Sequence, residues 1–209
     1  ASADGPFYFP ILGRAIHPCN EVAAVSDWKV IVQAFTRNYV KNPSGEIDDY
    51  YNALTGTTVT RETTLQHYGL YSYRVQSNAD NEGISLDMEA LDSVDHWVTM
   101  RVSGTLPAAW DWSLDDTTYT APSLLETIDS TWKLYGLLIP AAQASGATLL
   151  HIRQNGAGNG DFYIDGVQVE EDTEGSYTTY CDGTQEGCEW DGVPHSGSST
   201  RSAASRAGG

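Results

Sequence analysis

Few residues in this chain combine the types and spacing that chemistry demands, and the densest group lies near its end. Cys181, Cys188 and His195 fall within fifteen positions, with Trp190 between them. A structural zinc ion takes four nitrogen or sulfur ligands, and no fourth follows at finger spacing, so the trio does not read as a metal centre. Cys181 and Cys188 bracket Asp-Gly-Thr-Gln-Glu-Gly, a turn-rich segment that could close a loop. A disulfide there is one reading, stabilising the chain by about 2 to 3 kcal/mol in the chain-entropy model. Two reduced, buried thiols are the other, because a reducing compartment keeps cysteines apart. Cys19, beside Pro18, is left over and reads as a small buried apolar residue.

Nucleophilic catalysis requires an activated Ser or Cys with a positioned His, and none of His17, His67, His96, His151 or His195 sits in such a local signature. Acid pairs are common, at Asp48-Asp49, Asp115-Asp116 and Glu170-Glu171-Asp172. Glycoside hydrolysis needs two carboxyl groups at a set separation across one bond, which adjacency alone does not supply. Neighbouring acids in so acidic a chain read as solvated, and the chain is expected not to be an enzyme. Sugar binding is a better match: it needs an aromatic plane to stack on a pyranose and fixed polar groups for its hydroxyls. Trp110, Asp111 and Trp112 supply two indoles on one side of a strand or loop with a carboxylate between, and Tyr119 could join them. Burial of those indoles in a subunit interface is the competing reading. Trp97, Trp132 and Trp190 read as core.

These side chains must be carried by strands. From about Tyr71 to Glu170 short runs with turn residues between them have the spacing of an all-β sandwich. Ile84, Leu86 and Met88 alternate with Ser85, Asp87 and Glu89, and Val98, Met100 and Val102 alternate with Trp97, Thr99 and Arg101, giving one apolar and one wet face. The runs 131–139 and 147–153 are more continuously apolar, as central strands are. Gly166 interrupts the last strand, Phe162 to Val169, which predicts a bulge or a close backbone approach. The 209 residues suit one domain with extensions. Residues 1–37 form an N-terminal arm or added strand, with Val30, Ile31 and Val32 favouring a strand over a helix within 26–36. Residues 38–172 form the sandwich, and 173–209 a tailpiece loop and an extended C-terminal segment ordered only against a neighbour. With 28 Asp and Glu against 11 Lys and Arg, the net charge of -17 opposes binding to nucleic acid, and the longest apolar runs are too short for membrane insertion.

Two sets of residues carry a resemblance. Asn38, Asn42-Pro43-Ser44, Glu46, Gly69, Ser72, Arg74-Val75, Thr131-Trp132 and Phe162-Tyr163-Ile164-Asp165, in that order, are similar to carbohydrate-binding modules of the galactose-binding-like jelly-roll type. Gly45 stands where those modules usually have an aromatic, and Ser130 where Gly is common. Tyr180-Cys-Asp-Gly, Gly187-Cys-Glu-Trp-Asp-Gly-Val-Pro-His195 and the Ser/Thr run to Arg201 resemble a tailpiece of bacteriophage and prophage tail and fibre proteins. The resemblance implies a jelly roll used in a virion tail or fibre, extracellular after release, partnered by copies of itself or other tail subunits and able to hold a cell-surface polysaccharide. It also implies that the chain is a piece of a longer protein. The alternative is a carbohydrate-binding module of a secreted polysaccharide-degrading enzyme. In such modules a Glu of the first motif and the Asp of the last strand approach each other, so Glu46 and Asp165 are implied as ligands of a structural Ca²⁺; the alternative is that they bond the backbone without metal.

Overall fold

The computed structural model describes residues 36–173 and 175–201. The chain divides into two compact units, Ala1–Val32 and Gln33–Gly209, and the described residues all belong to the second. The strand expected within 26–36 therefore lies outside them, save its last residue.

Thirteen strands and one helical turn make up the described chain: β1 (Thr36–Asn38), β2 (Tyr51–Ala53), β3 (Thr58–Glu62), β4 (Ser72–Ser77), β5 (Gly83–Asp87), β6 (His96–Thr105), β7 (Trp110–Ser113), β8 (Ser123–Thr127), β9 (Lys133–Ile139), α1 (Ala141–Ala144), β10 (Leu149–Gln154), β11 (Gly160–Glu171), β12 (Cys188–Trp190) and β13 (Ser199–Arg201). Six form one antiparallel sheet in the order β3-β4-β11-β6-β9-β8, and four form a second in the order β2-β5-β10-β7. Except for β3-β4 and β8-β9, neighbours in these sheets are not consecutive in sequence, and two such layers around one core are a jelly-roll sandwich. The all-β jelly-roll class expected from the strand spacing is the one observed.

Period-2 alternation explains why these segments bury what they do. Val98, Met100 and Val102 of β6, Ile84 and Leu86 of β5, Leu150 and Ile152 of β10, and Phe162, Ile164, Val167 and Val169 of β11 all meet in the core. In β11 the parity changes between Ile164 and Val167, where the register against β6 slips between Asp165 and Gln168. Gly166 sits in this bulge at φ +55° with the Tyr68 ring so close that a Cβ would lie 2.7 Å from it. The bulge and the close approach thus occur together.

The end of the chain departs from expectation. Residues 196–201 are folded against their own chain, with β13 between β1 and β12 in a third, three-stranded sheet. Thr36, Arg37 and Asn38 pair with Arg201, Thr200 and Ser199, which satisfies backbone groups that would otherwise need a neighbour. Asn38 fastens this sheet to the sandwich: its Nδ2 donates to Val167 O (2.9 Å) and Cys181 O (3.0 Å), and its Oδ1 accepts from Val40 N and Val169 N, both 3.1 Å. Gln168 adds a bond from Cys181 N to its Oε1 (2.7 Å).

Candidate carbohydrate-binding face

The two indoles expected to stack on a sugar are in the core. Trp112 has no exposed surface and Trp110 has 8%. Both lie on the inward parity of β7, and Trp110 meets Trp112, Tyr135 and Phe162 edge-on at 5.3, 5.1 and 6.0 Å between centroids. Each indole has a large apolar area, and the sandwich interior is where that area leaves water most completely. Trp132 is buried as expected, at 3% exposure beneath His67 (5.7 Å), whereas Trp97 differs: it is half-buried on the outward face of β6, roofed by Tyr177 at 5.7 Å. Trp190 is likewise half-buried against His195, 4.7 Å away.

Asp111 and Tyr119 share a neighbour, Arg153 of β10, which pairs with Asp111 of β7 and lies over the Tyr119 ring. Asp111 accepts a 2.6 Å bond from Asn155 Nδ2. The Arg153 guanidinium lies 3.3 Å from the Tyr119 centroid, so one face of that ring is taken. The Tyr119 hydroxyl donates to Asp116, and burial together with that bond pushes its pKa up to about 12. His151 beside them is held below its ordinary range by burial, with Asp116 3.8 Å from it.

Glu46 and Asp165 both serve one loop, residues 63–71, from two sides. Asp165 Oδ2 accepts from His67 N (2.6 Å) and Tyr68 N (2.7 Å), and Oδ1 from Gly166 N (2.6 Å). Glu46 Oε1 accepts from Leu70 N (2.8 Å) and Tyr71 N (3.1 Å). Three of the four or so lone-pair sites of the Asp165 carboxylate thus face N–H hydrogens, which is the backbone-bonding alternative to the calcium shell that the resemblance implies. Among the described residues no group of three or more His, Cys, Asp or Glu is arranged to hold a metal ion. Gly69, at φ +64°, has its missing side chain's place occupied by the Glu46 carboxylate. Burial outweighs the three N–H donors and the nearby Arg101 and pushes Asp165 up to about 7.

That loop and the segment 177–182 roof one half of the outward face of the six-stranded sheet. Tyr68 and Tyr180 stack at 4.2 Å, above Arg101, whose guanidinium is 4.5 Å from the Tyr68 ring. The other half is open. There exposed Thr60, half-buried Arg74 and Tyr163, and Ser103, which is 6% exposed, lie side by side across β3, β4, β11 and β6. Arg74 grips Asp161 with two bonds, Nε to Oδ1 at 2.8 Å and Nη2 to Oδ2 at 2.7 Å, and Glu62 lies 3.9 Å away. The bidentate pair holds Asp161 below its usual range. Tyr163 is half-buried, with Arg74 5.8 Å from its centroid. Ser103 also lines a cavity of about 530 Å³ with Gly104, Ser130, Thr131, Lys133 and Tyr135. The tyrosine row and the cavity thus adjoin, and that volume is within the ~300–1,000 Å³ of small-ligand sites. An aromatic ring, a fixed ion pair and hydroxyls on one open surface are what pyranose recognition requires. The signal for it was present in 161–165: with Phe162 and Ile164 inward, Asp161 and Tyr163 face out.

No family model and no curated protein matches the chain. Solved structures do: a CBM22-1 xylan-binding domain from Paenibacillus barcinonensis is 16% identical, covering 63% of this chain and 91% of that one at a TM-score of 0.46. A CBM61 module in complex with β-1,4-galactotriose is 17% identical, covering 65% and 99%, at 0.42. The enzymatically active domain of tailspike protein 4 of bacteriophage CBA120 is 15% identical, covering 63% of this chain and 21% of that chain, at 0.43. The fold class stated above rests on this chain's own sheet topology.

Proposed function

We propose that this chain is a non-catalytic, glycan-binding component of a phage-like tail or fibre, holding a polysaccharide on the open half of its six-stranded sheet. The observation that carries the reading is the row Thr60–Arg74–Tyr163–Ser103, an aromatic ring beside a guanidinium already neutralised by Asp161 and flanked by hydroxyls. Neutral hydroxyl-rich chains suit it, because the chain as a whole carries a net charge of -17 and would repel anionic ones. The tail or fibre setting is supported by the Tyr180 to Arg201 motif, and repeated copies on one particle would make weak single sites effective.

The test is titration of polysaccharides selected on a glycan array against wild type, Tyr163→Ala and Tyr119→Ala. Tyr163→Ala should weaken binding at least about tenfold, ~1.4 kcal/mol, while Tyr119→Ala leaves it unchanged. The reverse pattern would move the site to the other sheet, and no binding by wild type to any glycan would remove the function. Detection of the chain in purified particles tests the tail assignment separately.

A further inference from the structure

The tailpiece holds a second chemical group that the glycan face does not use. Cys181 is fully buried, and Cys188, at the start of the edge strand β12, is 8% exposed. Both are free thiols. Two turns fold the intervening segment back, with Gln185 N on Asp182 O (3.1 Å) and Cys188 N on Gln185 O (3.0 Å), while the Trp190 ring closes over Gly183. Arg201 spans the gap: its Nε donates to Cys188 Sγ at 3.4 Å, and its Nη2 to Tyr180 O at 2.5 Å, next to Cys181. Strand β13 thus holds both cysteines, Arg201 pairing with Cys188 and Ser199 Oγ donating to Cys181 O (3.1 Å). The interaction of the two thiols and Arg201 lower Cys188, against burial and the charge of Asp182, whereas the same interaction and burial raise Cys181. The asymmetry gives one sulfur that attacks and one that waits.

We infer that Cys188 and Cys181 form a thiol–disulfide exchange site, Cys188 attacking and Cys181 resolving, which closes a covalent clasp in the tailpiece when the chain meets a small disulfide. With oxidised glutathione the Cys188 thiolate attacks one sulfur, and the S–S bond breaks to release one glutathione thiolate. Cys181 then attacks the Cys188 sulfur of the mixed disulfide, its proton passing through solvent to the departing second glutathione. Two protein thiols are oxidised and one glutathione disulfide is reduced. A chain folded in a reducing compartment would thus be stapled on reaching an oxidising one.

The full chain, treated with oxidised glutathione near neutral pH, is digested with trypsin. Arg153 and Arg201 bracket one peptide, 154–201, that holds both cysteines and excludes Cys19. In wild type it should become lighter by two hydrogens, and the pieces holding Cys181 and Cys188 should stay joined after cleavage at its glutamates, Glu186 between the two cysteines included. Cys181→Ser should trap one glutathione on Cys188, and Cys188→Ser should take up none. A glutathione adduct on Cys181 in Cys188→Ser, or a wild-type peptide that keeps both thiols, would overturn the proposal. Limiting iodoacetamide on wild type gives the same test without substitution: Cys188 should be modified ahead of Cys181, and equal labelling would overturn the assignment of roles.

Discussion

Asp165 shows how one residue can be claimed by two opposed effects. Three backbone N–H groups favour its charged form, burial opposes it, and burial dominates, pushing it up to about 7. The folded chain then holds this proton more tightly than the unfolded chain, where an Asp titrates near ~3.9. Its contribution to stability is fully present below about pH 4 and is lost as the pH rises through about 7. Carbon-13 NMR of the side-chain carboxyl should show a midpoint near 7; one at or below about 4 would mean that the N–H donors win. Trp112 is the corresponding apolar case. Trp112→Ala should cost about 3 to 5 kcal/mol in denaturant unfolding, the usual loss for a buried aromatic, without loosening glycan binding once folded.

Among the elements, the loop 63–71 determines how much of the six-stranded sheet is open. It is pinned by Glu46 at its end and by Asp165 at its middle, and it carries the Tyr68 ring onto Gly166 and Arg101. Glu46→Ala leaves the Leu70 and Tyr71 amides without their acceptor. Their hydrogen exchange should accelerate, with about 0.5 to 1.5 kcal/mol lost from local stability, because water can reach the exposed Leu70 amide. Calcium added to wild type should leave the unfolding temperature unchanged, because the Asp165 oxygens are already engaged. A rise that Glu46→Gln abolishes would restore the metal site. The tailpiece is held on a comparable principle, with Asn38 and Gln168 bonding backbone groups on both sides of the junction.

At the scale of the whole molecule, sequence and structure each settled different things. The alternation in 84–88 and 98–102 determined strands, their buried faces and the all-β class, because side-chain parity in a strand is a local property. The Gly166 position was equally legible, since a glycine inside a strand marks a backbone arrangement that few residues can satisfy, whereas Asn38 and Asn42 were picked out only by the resemblance. Local sequence could not say which side of β7 faces the second sheet, so Trp110 and Trp112 looked available for stacking although they fill the core. Nor could it show that Glu46 and Asp165 spend their oxygens on one loop, or that Arg201 reaches back to Cys188, because those contacts join residues 98, 24 and 13 positions apart through the fold. The sequence by itself determined the all-β class and the parity of its best-marked strands. Only the tertiary structure decided which side chains face water, because exposure depends on what the rest of the chain lays over each face.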